Sequence, residues 1–507
     1  MPRRVPNTQT GSLTDHQRGT DDSLVSADTG TAILYGDAYS MFDFSRGGND
    51  TLVAGAAPIN VLYGDAFEMH DRTRGGNDQL IGHDGSANYL FGDASLMGGW
   101  SRGGNDVLTG GQAAVNTLYG DAYEMEGHAR GGDDTLNGGS GLALPAGDPS
   151  VLLYGDAYAM HDDTRGGNDT LNGGSSGTHI LLYGDANTMD GNSRGGDDTL
   201  TGGSTVINDI YGDAGTLAGN ARGGNDILVG GASGTNDLYG DAGAMHDTAR
   251  GGDDQLTGNA GSFLNFVYGD ARVMDGSTVG GNDSLTGGGG SSNNELYGDA
   301  WQMQGSARGG DDTLTAGSSG TNNLYGDAFS MADDTRGGND TLIGSSLGSF
   351  GSTLYGDAST MDGNSRGGND TLVAGSTGGT LYGDALIMNG NARAGNDVLV
   401  SGPGNDEMWG DAKFINGVQA SPTAPTGSVK TGADTFVFGP NSGTDTIGDF
   451  RQSDHDRIDV STYGFTSLLD MTVSFDGSNI RIAFDSKDSV TLTGFTGTLR
   501  ASDFVFA

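Results

Sequence analysis

RGGNDTLVAGAAPINVLYGDAFEM, residues 46–69, is followed after four residues by RGGNDQLIGHDGSANYLFGDASLM, residues 74–97. The two stretches align without a gap, and the same pattern recurs along most of the chain. One unit reads R-G-G-[ND]-D-x-L-x-G-G, a variable stretch, then N-x-L-Y-G-D-A-x-x-M. Self-similarity at a period near 28 residues is the mark of a stacked repeat architecture. The apolar pieces, such as Asp-Thr-Leu and Asn-x-Leu-Tyr, are short and flanked by glycine, which suits strand–turn–strand–turn coils better than helices. The predicted fold is therefore all-β, a parallel β-roll or β-solenoid of about 14 coils with a small C-terminal β cap.

Two sets of aspartates set the spacing. The Y-G-D aspartates are Asp37, Asp65, Asp93, Asp121, Asp156, Asp185, Asp213, Asp241, Asp270, Asp299, Asp327, Asp357 and Asp384. The G-G-[ND]-D aspartates are Asp50, Asp78, Asp106, Asp134, Asp169, Asp198, Asp226, Asp254, Asp283, Asp312, Asp340, Asp370 and Asp397. From each Y-G-D aspartate to the next of the second set is 13 residues every time, whereas the return leg ranges from 14 to 22. The fixed leg is constrained at both ends. The variable leg accepts insertions such as SGLALPAGDPS (140–150), as a surface loop would.

Composition narrows the chemistry. The chain has 507 residues, 96 of them Gly, no Cys and a formal net charge of −42. An apolar fraction of 34% is too low for an ordinary large core. Nucleic acid and anionic membrane surfaces would be repelled, and cations are the natural counterpart. No run of apolar residues is long enough for a membrane-spanning helix. The first residues lack the apolar stretch of a cleaved signal peptide. Neither a zinc-protease motif nor a phosphate-binding loop occurs, and the chance G-x-S-x-G matches do not sit on a strand-to-helix elbow, so no enzymatic role is expected.

Stacked R-G-G-[ND]-D turns would set carboxylates of neighbouring coils about 5 Å apart, a column that repels itself unless cations lie between. Glycines Gly48, Gly76, Gly104, Gly132, Gly167, Gly196, Gly224 and Gly252 let carbonyls turn inward beside the acid. Oxygen-only donors point to Ca²⁺ rather than Zn²⁺ or Cu²⁺. For the Y-G-D aspartates two readings stand side by side: calcium ligands, or N-caps of a helical turn formed by A-x-x-M. Tyr35, Tyr63, Tyr119, Tyr154 and Tyr183 alternate away from the inward leucines, either as an exposed binding ladder or under a cover of the repeat methionines. The arginines of R-G-G are expected to pair with acids of adjacent coils.

The turn G-G-N-D-T-L-x-G-G resembles the RTX nonapeptide, whose parallel β-roll binds Ca²⁺. The resemblance covers roughly residues 18–412. It departs from the RTX coil of about 18 residues, because A-x-x-M-x-x-x-x-R stretches half of each unit. After a linker at 413–430, residues 431–507 are similar to the C-terminal region of serralysin-type RTX proteins. That implies an uncleaved type I secretion signal, an exporter as transient partner, and an extracellular or cell-surface location outside a Gram-negative bacterium. Residues 1–17 are expected to be a disordered leader. The implied role is a calcium-dependent structural or adhesive rod; the alternative is a glycan- or ice-binding module, with a surface glycan or self-association as partner.

Overall fold

Leucine columns organise the protein. In the computed structural model, which describes residues 8–142, 148–175, 177–204, 207–290, 292–318, 320–347 and 351–507, each repeat supplies three short strands rather than two. Ala38–Met41, Thr51–Val53 and Ile59–Tyr63 are one such set. The protein is a parallel β-solenoid of about 14 turns with a 28-residue period. The chain divides into two units, Met1–Ser262 and Phe263–Ala507.

In the first unit, Leu52 pairs in register with Leu80, Leu80 with Leu108, Leu108 with Leu136 and Leu136 with Leu171. A second column runs Leu62, Leu90, Leu118, Leu153, Leu182. A third runs Met41, Met69, Met97, Met125, Met160, Met189. All of these side chains are fully buried. Three inward columns from three sheets make the core. No coil encloses its own stripe, so burial is shared between neighbours.

A polar column lies inside with them. Asn88 and Asn116 are fully buried. Asn88 Nδ2 donates to Asn116 Oδ1 of the next coil at 2.9 Å. Within its own coil, Asn116 accepts from Gly111 N–H at 3.0 Å and donates to Gly111 O at 2.9 Å. The asparagine of N-x-L-Y thus closes the preceding glycine turn and ties it to the neighbour, leaving no buried amide atom unpaired.

The A-x-x-M segment is a strand, which removes the helical-turn reading of the Y-G-D motif. A four-residue stretch carries no period of its own; the in-register neighbour decides its conformation. Thr8–Leu13 is likewise a strand, paired in parallel with Ala38–Met41, so the expected leader begins the third sheet; residues 1–7 lie outside the described residues. Residues 143–147 of the long insertion also lie outside them.

In the second unit the coils continue beyond the expected boundary at 412. Leu399 pairs with Phe436, Phe436 with Ile458, and Ile458 with Phe504. Leu381 pairs with Met408, Met408 with Ile447 and Ile447 with Leu492. The expected cap therefore shares the inward columns of the array, and at the start of the expected linker Ile415 pairs with Met388. Val418–Gln419 folds back antiparallel on Phe414 and Ile415 at the end of the third sheet. The alternating segments of the C-terminal part form an antiparallel pair, Thr472–Phe475 with Ile480–Ala483. No helix of the described residues is long and apolar enough to cross a membrane.

Candidate metal centre

The constant 13-residue leg has a direct cause. Asp37 Oδ2 accepts the N–H of Gly48 at 2.6 Å, and Asp65 Oδ2 that of Gly76 at 2.9 Å. Gly104, Gly132, Gly167, Gly196, Gly224 and Gly252 donate in the same way to Asp93, Asp121, Asp156, Asp185, Asp213 and Asp241. Each Y-G-D carboxylate grips the backbone 11 residues ahead in its own coil, and one inserted residue would break the grip. The glycines first assigned as carbonyl donors therefore have a second task as N–H donors to these acids.

The G-G-[ND]-D carboxylates work between coils. Asp50 N–H donates to Asp78 Oδ1, and Asp78 N–H to Asp106 Oδ1, both at 2.6 Å. The link repeats from Asp106 to Asp134, Asp134 to Asp169 and Asp169 to Asp198. In the second unit it runs from Asp340 to Asp370, Asp370 to Asp397 and Asp397 to Asp434. One oxygen of each acid is thereby used. The other, Oδ2 of Asp50, Asp78, Asp106, Asp134, Asp169 and Asp198, is buried without a hydrogen-bond partner. Asp156, Asp185, Asp213, Asp327, Asp357 and Asp384 of the Y-G-D set show the same orphaned oxygen.

Buried, unpaired anionic oxygens are costly, and the ionisation behaviour reflects it. Desolvation, then the neighbouring Asp37, pushes Asp50 up to about 8. Desolvation followed by the charges of Asp78 and Asp93 holds Asp65 far above the usual carboxylate range. Asp106 is raised by burial first and then by Asp93. The two columns thus face one another across the turn.

Oxygens also converge where glycine leaves room. A Cβ on Gly64 would collide with both Gly92 O and Asp78 Oδ2; on Gly92 it would meet Gly120 O and Asp106 Oδ2. Over Gly75 the carboxylates of Asp65 and Asp93 meet. Among the described residues no three acidic or imidazole side chains surround one metal-sized centre. A cation held here would take carboxylates from neighbouring coils together with glycine carbonyls. That all-oxygen donor set fits a hard divalent ion and not a thiophilic one.

The far end of the array is built differently. Asp411 Oδ2 receives Arg451 Nη1 at 3.3 Å, with both side chains 4% exposed. Asp434, Asp449 and Asp456 extend the two columns: Asp434 N–H donates to Asp456 Oδ1 at 3.2 Å, and Gly410 N–H to Asp449 Oδ1 at 2.8 Å. The sequence reading missed these three. Gly432-Ala-Asp434-Thr-Phe436 and Gly448-Asp449-Phe450 carry the signal, with phenylalanine in place of leucine and of the Y-G-D alanine.

The tyrosines form a stacked column. Ring centroids lie 4.9 Å apart for Tyr119–Tyr154 and 5.0 Å for Tyr154–Tyr183. Tyr63, Tyr119, Tyr154 and Tyr183 are buried, which corrects the reading of an exposed ladder; Tyr35 is half-buried. The cover comes from other rings and aliphatics, including Phe67, Tyr158 and Leu152, and not from the methionines, which point into the core. The R-G-G arginines do not pair with acids of adjacent coils as expected: among the described residues the ion pair of this set is Arg18 with Asp21 at 3.9 Å.

The chain matches no protein-family model, no curated protein and no solved structure.

Proposed function

We propose that this chain is a structural calcium-binding repeat protein whose coils are locked together by Ca²⁺ held between successive aspartate turns. The observation that carries the reading is the two sets of buried carboxylates, in which acids such as Asp50, Asp78, Asp106, Asp134, Asp156 and Asp185 each keep one oxygen without a hydrogen-bond partner, while among the described residues the ion pair made to these sets is that of Arg451 with Asp411. Such columns require positive charge. Where the second unit ends them, a guanidinium supplies it; along the repeats, divalent cations would do so. Oxygen donors, glycine carbonyls and irregular geometry favour Ca²⁺ over Mg²⁺, which demands a near-ideal octahedron. The RTX-like turn motif supports the same ion.

Calcium dependence in turn supports export before folding. In a calcium-poor cytosol the columns stay charged and the array stays open, which suits passage through a type I exporter; folding then follows outside. The repeats occupy most of the chain, and the role assigned is scaffolding outside the cell rather than catalysis. Thermal unfolding followed by circular dichroism, with Ca²⁺ and with EGTA, tests the reading. A cooperative transition that vanishes or falls sharply with EGTA is expected. A melting curve indifferent to chelation overturns it.

A further inference from the structure

A column of guanidiniums runs along the first unit of a chain whose net charge is −42. Arg46, Arg74, Arg102 and Arg130 open successive R-G-G turns and are joined backbone to backbone by parallel bridges. Their side chains therefore repeat at the inter-strand spacing of about 4.8 Å. Among the described residues none of the four makes an ion pair. Partial burial first, and then the charges of Arg165 and Arg102, pulls Arg130 below its ordinary value.

Beside this column stands a second row, two residues earlier in each turn: Phe44, Arg72, Trp100 and His128. The rows enclose an open groove of about 310 Å³. Trp100 is 54% exposed and Phe44 46%. The Trp100 ring lies 4.0 Å from the His128 ring, and Arg72 sits over Phe44 at 5.7 Å. Acids flank the groove: His128 Nδ1 is 3.5 Å from Asp163 Oδ2, Asp133 lies beside Arg102 and Arg130, and Asp43 and Asp71 precede Phe44 and Arg72 in the chain, Asp43 N–H donating to Asp71 Oδ2 at 3.2 Å. Farther along the same unit the second row turns polar, with Asn192, Asn220 and Thr248 beside Arg194, Arg222 and Arg250. The aromatic wall is confined to the first coils.

We propose that this groove binds a linear acidic polysaccharide carrying about one carboxylate or sulfate per sugar, the arginines pairing the anions while Trp100 and Phe44 stack on sugar faces. A guanidinium fork matches a carboxylate or sulfate edge, and one fork per coil meets one anion per sugar. Duplex nucleic acid, with a charge every ~1.7 Å, would outnumber the arginines and meet the acidic field of the rest of the chain. The inference needs only the coil register and does not rest on the calcium reading.

The test is binding of chondroitin sulfate to the full chain in calcium-containing buffer, with dextran as neutral control and oligo-dT as competing polyanion. Saturable binding of chondroitin sulfate and none of dextran is expected. R74Q/R102Q weakens it by at least about tenfold, since two charge-assisted contacts are lost. W100A weakens it several-fold, and R222Q/R250Q leaves it unchanged. Equal losses from R74Q/R102Q and R222Q/R250Q, a neutral W100A, or oligo-dT binding as tightly as the glycan each overturn the proposal. If R74Q/R102Q fails to fold by circular dichroism, W100A decides, because Trp100 lies at the surface.

Discussion

At the residue scale the aspartates carry opposite consequences with and without metal. Burial raises Asp50 to about 8 and Asp213 and Asp357 to about 6, above the value near 4 of an unfolded chain. A group whose folded value is raised stabilises the fold fully below its unfolded value and loses that contribution as pH climbs through the folded one. The metal-free chain should therefore be most stable below about pH 4 and weaken between about pH 6 and 8. Added Ca²⁺ should restore stability at neutral pH and bind less tightly as protons compete for the same oxygens. Melting temperatures across pH in EGTA check the first half; stability rising with pH there would contradict it. Asp78→Asn sharpens the test. The amide oxygen can still accept Asp50 N–H, but the charge is gone. The variant should melt higher than the parent in EGTA at pH 8 and lower in calcium.

At the element scale the asparagine column makes a separate prediction. Asn116→Ala removes the closure of the Gly110–Gly111 turn and leaves one N–H of the Asn88 amide without its acceptor, the other still donating to His83 O, at a cost of about 1–3 kcal/mol. Denaturant unfolding in calcium reads the loss, and a change well below that range would mean the turn is held by its backbone alone. The elements also show what was legible beforehand. The leucine columns, the 13-residue leg and the variable return leg can be read directly, because each repeats in type and spacing; the methionines repeat as plainly, but their inward direction was not legible. The third strand was not legible. Ala-x-x-Met is apolar at its ends only, a pattern a helical turn shares, and only pairing with the copy one coil away makes it β. The C-terminal coils hid for a related reason: Phe436, Ile458 and Phe504 continue the leucine column at irregular intervals, where no period betrays them. Tyrosine burial was one of two open readings, but its cover was not legible, since it comes from residues such as Phe67 and Tyr158 at a position whose residue type varies from copy to copy.

At the scale of the whole molecule, nearest-neighbour coupling should make stability depend on register more than on coil number. Deleting residues 66–93, one full period of 28, joins Asp65 to Ala94 and leaves each inward column with one rung fewer. That variant should still unfold cooperatively in calcium and bind proportionately less of it. Deleting residues 66–79 instead removes half a period and joins strands of different sheets, and a folded product would contradict the account. Calorimetry and ion counting on the two deletions decide. The return leg gives this tolerance a further meaning. All differences in repeat length are taken up at that one corner, while the gripped leg never varies. An in-frame exchange between any two copies in the gene would therefore yield a chain that still threads every sheet. Slippage during replication then becomes a dial on the length of the carboxylate columns, turned in whole steps and with no new fold to invent.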